Sequence, residues 1–138
     1  VHVTADGKFV HAWGKAGAGP GEFNAPHAAI VDAKGRLLVC DRDNERIQIF
    51  DQEGQLLDTW TGYKPFGIAM DGDGTFFVCG NNQVSQLNAN GKVVKSWGKE
   101  GVEPGQFKTP HLMTADKDGN LYIAEVSGRR LQMLKRVR

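Results

Sequence analysis

An all-β fold of repeated four-stranded sheets, a β-propeller, is what this sequence predicts, and three observations predict it. The stretch from Pro26 to Asp51 comes back twice in altered form, as PFGIAMDGDGTFFVCGNNQVSQLN from Pro65 and PHLMTADKDGNLYIAEVSGRRLQMLK from Pro110, at spacings of 39 and 45 residues. A period near forty marks a repeat architecture. Short apolar runs alternate with Asp-Gly and Asn-Gly turns, which join antiparallel strands. A tryptophan lies six residues after a turn glycine three times over, at Trp13, Trp60 and Trp97.

Within the first repeat, strand a is expected over 28–31, strand b over 36–40, strand c over 46–50 and strand d over 55–60. The a–b connection is one device used three times: Asp32-Ala-Lys-Gly35, Asp71-Gly-Asp-Gly74 and Asp116-Lys-Asp-Gly119. Asp favours the turn through its side-chain oxygen, and Gly supplies the positive φ that closes it. The c–d turns read as Asp6-Gly7-Lys8, Glu53-Gly54-Gln55 and Asn90-Gly91-Lys92. The d-to-a crossings are unequal. Lys15–Phe23 and Lys99–Phe107 are long and share Pro-Gly-(Glu/Gln)-Phe ahead of (Ala/Thr)-Pro-His, whereas the middle crossing is only Tyr63-Lys64 and has no histidine.

Four antiparallel strands per forty or so residues make a propeller blade. The expected blades span about 15–62, 63–98 and 99–134, with 1–14 as a closing strand. Val1–Trp13 matches the end of strand c plus strand d, and Leu121–Leu134 matches strands b and c of the last blade. Three blades are too few to ring an axis, since propellers close with about four to eight. The expectation is half of a six-bladed ring, completed by a second copy as a homodimer or by an N-terminal half of a longer chain.

Composition narrows the function classes. The 138 residues carry a net charge of +1, which gives no electrostatic case for a nucleic-acid or membrane-surface binder. No apolar run approaches a membrane-spanning length. The N-terminus, VHVTADGKFV, has neither the basic lead nor the apolar core of a signal peptide. Cys40 and Cys79 each close a strand b and read as small buried hydrophobes, not as a metal pair.

His27 and His111 stand at equivalent positions, each after Pro, each opening the innermost strand, which starts at the mouth of the central channel. Two imidazoles converging there could bind zinc, or Pro-His could be only the repeated entry into the strand. Arg42, in Cys-Asp-Arg-Asp-Asn, has no counterpart, since Asn81 and Val126 hold its position in the other repeats. An unrepeated Arg could clamp a carboxylate, or pair with Asp41 or Asp43. Arg46 and Arg130 read as structural, and His2 and His11 as surface residues. Tyr63 and Phe66 could wall a pocket near the channel, and Asp41, Asp43 and Glu125 read as solvated turn carboxylates.

The Asp-x-x-Gly hairpins, the run Asp41-Arg42-Asp43-Asn44-Glu45-Arg46-Ile47-Gln48-Ile49-Phe50 and the Trp-Gly ends resemble the NHL-repeat family over essentially the whole chain. The alternation of Pro-His blades, Pro-Gly-Glu-Phe and Cys-Asp-Arg-Asp-Asn-x-Arg-Ile-Gln is similar, more narrowly, to the last three blades of the peptidyl-α-hydroxyglycine α-amidating lyases. That resemblance implies a six-bladed ring with zinc on three channel histidines, of which His27 and His111 match two, and an active-site arginine matched by Arg42. It implies a substrate cleaved to a peptide amide and glyoxylate, and a secreted or periplasmic setting as one option. The family's third histidine, its tyrosine and another arginine belong to earlier blades. Its structural calcium uses an Asp where this chain has Leu112, so zinc is the cofactor implied and calcium is left without its ligand. The alternative is a non-catalytic NHL module that binds a partner protein or assembles with itself.

Overall fold

The computed structural model describes residues 1–137. In chain order the strands are β1 (His2–Val3), β2 (Phe9–His11), β3 (Lys15–Ala16), β4 (Glu22–Phe23), β5 (Pro26–Val31), β6 (Leu37–Asp41), β7 (Arg46–Phe50), β8 (Leu56–Thr61), β9 (Gly67–Met70), β10 (Phe76–Gly80), β11 (Gln83–Leu87), β12 (Val93–Trp97), β13 (Pro110–Ala115), β14 (Leu121–Glu125) and β15 (Arg130–Leu134). One 3₁₀ turn, Arg42–Asn44, joins β6 to β7. Two four-stranded antiparallel sheets, β5-β6-β7-β8 and β9-β10-β11-β12, stand beside a three-stranded sheet, β13-β14-β15. β1 and β2 form a separate hairpin, and β3 pairs with β4 in parallel inside the first long crossing. Among the described residues no strand pairs with the outer edge of β15.

These are β-propeller blades, and their burial follows from stacking face to face. In the middle blade, Phe76, Phe77, Val78 and Cys79 of β10 are all buried, because alternate side chains face a blade on either side. Phe76 and Val78 join Leu38, Ile47, Ile49 and Trp60 of the first blade in one cluster. Phe77, Cys79 and Val84 join Leu121 and Ile123 of the third blade in another, over Phe107. Each fully buried side chain of this kind stabilises the fold by about 1.5–3 kcal/mol.

The turns use more of the sequence than the Asn-Gly reading allowed. The c–d turns start at Thr4, Asp51 and Asn88, two residues ahead of the expected ones, and repeat the a–b device. Asp51 Oδ1 accepts the Glu53 and Gln55 N–H groups, as Asp32 Oδ1 accepts those of Lys34 and Arg36. Asn88 does the same for Asn90 and Lys92. Each is a type I turn closed by a glycine at positive φ, such as Gly54 at 85°.

The strand-d tryptophans then lock blade to blade. A Cβ on Gly54 would lie 2.6 Å from the Trp13 ring, so Trp13 packs on the turn glycine of the following blade, as Trp60 does on Gly91.

The Asp41 and Glu125 readings need correcting. Both carboxylates are buried, at 0% and 4% exposure, and each anchors a long crossing. Arg46 Nε donates to Asp41 Oδ2 at 2.7 Å while its Nη groups reach the Ala18, Gly19 and Glu22 carbonyls. Gln48 donates to Glu22 O and accepts the Gly21 N–H. Arg130, Gln132 and Glu125 repeat this clamp on the carbonyls of Val102, Glu103 and Gln106. The middle blade has Gly80, Gln83 and Ser85 in these places, consistent with its two-residue crossing leaving nothing to clamp. A carboxylate with this many charge-assisted partners offsets its desolvation.

Candidate axial site

The first and last blades deliver their histidines by the same local route. Ala25 and Thr109, each just before Pro-His, sit at φ 55° and 57°, a left-handed conformation that costs energy for residues with a Cβ. It is held from across the blade: the Arg42 N–H donates to Ala25 O, and the Val126 N–H to Thr109 O. The ladder then skips a residue in both blades. Pro26 pairs with Asp41 and Ala28 with Cys40; Pro110 pairs with Glu125 and Leu112 with Ala124. His27 and His111 are the skipped residues, each on a bulge, a feature that re-aims a side chain.

The result is convergence. The His27 and His111 rings lie with centroids 4.4 Å apart at 71°. Phe66, which holds the equivalent position after Pro65 in the middle blade, completes a ring trio at 5.6 Å from His27 and 5.9 Å from His111. The sequence alone suggests Phe66 only as a pocket wall. Its alignment with the two histidines in the Pro-x register was the available signal. The His27 Nδ1 lies 2.6 Å from the Phe66 carbonyl oxygen, so Nδ1–H donates this bond, and the neutral tautomer that it selects has its lone pair on Nε2.

Arg42 reaches this cluster from the 3₁₀ turn, with its guanidinium 5.2 Å from the Phe66 ring centroid. It donates from Nε and Nη2 to the two Asp43 oxygens, at 2.9 and 3.2 Å. Lys64 Nζ also lies 3.4 Å from Asp43. The Arg42 bond holds the Asp43 carboxyl below its ordinary value. Burial, with the charges of His27 and Arg42 adding to it, holds His111 below the usual imidazole range and so favours its neutral form.

Two imidazoles, one with its tautomer set by a backbone carbonyl, are suitable zinc donors, and such carbonyl support is the usual outer shell of a histidine ligand. Among the described residues no group of three or more His, Cys, Asp or Glu could hold a metal ion. The cluster that this chain itself assembles is the pair of imidazoles.

Other singled-out residues lie elsewhere. Tyr63 packs into the cluster between the first two blades, with a buried hydroxyl that has no hydrogen-bond partner, and burial raises its pKa. His2 is exposed as expected, but His11 is half-buried, stacked on Trp13 at 5.2 Å because it lies on the hairpin strand that covers the first blade. Cys40 and Cys79 are buried free thiols.

Comparison with known proteins agrees with this fold. The DUF5128 family model, described as "6-bladed beta-propeller", matches residues 3–62. Human NHL repeat-containing protein 3 is 32% identical over 143 residues, covering 96% of this chain and 41% of that protein. Peptidylglycine alpha-amidating monooxygenase of Rattus norvegicus is 30% identical over 141 residues, covering 91% of this chain and 14% of that protein. A streptogramin B lyase structure superposes with a TM-score of 0.67 at 16% identity, covering 99% of this chain and 47% of that one, a likeness of fold alone. The chain thus spans well under two thirds of each of these proteins.

Proposed function

We propose that this NHL-type β-propeller sector supplies two zinc donors and a carboxylate clamp to an axial site of the amidating-lyase type, acting on peptidyl-α-hydroxyglycine substrates. The observation that carries the reading is the approach of His27 and His111 to 4.4 Å on matching bulges. Similarity to an amidating monooxygenase over 91% of the chain supports the substrate class. The remaining donors would come from the rest of the ring.

Zinc, when bound, lowers the pKa of a coordinated hydroxyl or water. The chain's residues do the rest of the work available to them. The Phe66 carbonyl fixes His27 with Nε2 available. Burial lowers the His111 pKa and so favours the neutral form, which has a lone pair to donate. Arg42 spends two of its five N–H donors on Asp43 and has three left for the substrate carboxylate. In the overall reaction the hydroxyl loses its proton, the C–N bond breaks, and the nitrogen regains a proton. A peptide amide and glyoxylate leave.

The test is glyoxylate release from a peptidyl-α-hydroxyglycine by zinc-supplemented protein, with Arg42→Ala beside the wild type. Release that falls on removing Arg42 supports the reading. Zinc-bound protein that releases no glyoxylate contradicts it and leaves a non-catalytic NHL module.

A further inference from the structure

We infer that Asp43 is a positioning residue: it holds the Arg42 guanidinium by one edge, so that the edge between its two Nη groups stays free for a carboxylate beside the axial rings. The inference rests on the carboxylate-clamp part of the functional reading above and adds what aims that clamp. A guanidinium is a planar fork that can grip a carboxylate with Nε and one Nη, or with both Nη groups. Asp43 occupies the first edge, with Arg42 Nε 2.9 Å from Oδ1 and Nη2 3.2 Å from Oδ2. The fold does not need this pair. The third blade closes its equivalent turn on Thr109 with Val126 and Ser127 in these places.

Three further contacts restrain the same group. Arg42 and Asp43 both lie in the 3₁₀ turn, and their backbone N–H groups donate to Ala25 O and Asn24 O, so the pair is fastened to the segment that delivers His27. The Phe66 ring lies 5.2 Å from the guanidinium, a cation–π distance that limits its tilt. Lys64 Nζ, from the short middle crossing, lies 3.4 Å from Asp43 Oδ1 and ties the carboxylate to the second blade. The Arg42 bond, with the Lys64 contact after it, holds the Asp43 carboxyl below its ordinary value and keeps it ionised. The Arg42 and Asp43 side chains are 26% and 33% exposed, and an ion pair this open adds little stability. What it fixes is direction. An anion beside Arg42 also repels an incoming carboxylate, so charge and orientation act in opposite senses, and that gives the test its sign.

The test is a titration of zinc-free protein with glycolate, followed by nuclear magnetic resonance at the Arg42 Nε–H, the signal that disappears in Arg42→Ala. In wild-type protein that proton should exchange slowly with water, and glycolate should perturb it. Asp43→Asn keeps the size of the side chain and removes its charge. A role of charge alone predicts tighter glycolate binding by this variant. Positioning predicts about tenfold weaker binding, a rapidly exchanging Nε–H and an unchanged unfolding midpoint. Asp43→Glu, which restores the carboxylate, should recover most of the affinity. Asp43→Asn that binds as tightly as wild type or tighter, weaker binding that comes with a lowered unfolding midpoint, Asp43→Glu no better than Asp43→Asn, or glycolate that leaves wild-type Arg42 unperturbed would each overturn the inference. Asp43-dependent glycolate binding by protein that releases no glyoxylate with zinc would remove the lyase reading and leave this inference standing. Glyoxylate release with unweakened glycolate binding by Asp43→Asn would do the reverse.

Discussion

Trp60 lies directly over Gly91, and the glycine has no room for a side chain: a Cβ there would sit inside the indole. Gly91 also has φ 73°. Gly91→Ala therefore combines a left-handed penalty with overpacking and should destabilise the fold by roughly 3 kcal/mol. Gly74→Ala, at φ 80° with open space around it, should cost about 1 kcal/mol. Urea denaturation of the two variants distinguishes a packed seam from a mere turn preference.

Asp41 is the hub of the first long crossing. It accepts from Arg46, Asn44 and the Asn24 N–H. Removing it leaves the Arg46 guanidinium half-buried without its carboxylate, and Asp41→Ala should cost about 3–5 kcal/mol. Glu125→Ala should act in the same direction. Burial alone would raise the Glu125 carboxyl, but bonds from Arg130, the Lys108 N–H and Gln132 outweigh it and hold it below its ordinary value. Denaturation midpoints of both variants check this.

His111 makes stability depend on pH. Its folded-state pKa lies below its unfolded value of about 6.5, so between the two the unfolded chain binds more protons. Its contribution is fully present above about pH 6.5 and is lost as pH falls toward the folded value. Wild-type protein should lose more stability between pH 7.5 and 5.5 than His111→Phe, a variant that copies the Phe66 position. Equal losses would count against the burial of this imidazole.

Much of the fold was legible because turn chemistry is local. Asp32-x-x-Gly35 encodes its own hairpin, and a tryptophan with a glycine one or two residues on marks each strand-d end. The clamp was not legible. Asp41 and Glu125 resemble solvated turn carboxylates until a loop some twenty residues upstream in sequence folds over them. The left-handed Ala25 and Thr109 were equally silent, since residues before proline ordinarily favour extended backbone. His27 and His111 were found by register, but Phe66 was not paired with them, because a phenylalanine among histidines carries no chemical signal in a sequence.

The cysteines should be inert in the native state. Burial, helped by the neighbouring Cys79, pushes the Cys40 thiol up, and burial pushes Cys79 up to about 12. Thiolate is the reactive form. An aromatic disulfide reagent at mildly alkaline pH should label neither until denaturant is added, and then label both.

The axial cluster is most directly tested by equilibrium dialysis against zinc, with metal content measured for wild type, His27→Ala and His111→Ala. The account predicts that wild-type protein retains zinc in a fixed ratio to the ring and that either alanine abolishes it, with folding unchanged by circular dichroism. Wild-type protein that retains no zinc, or variants that retain as much as wild type, would contradict it.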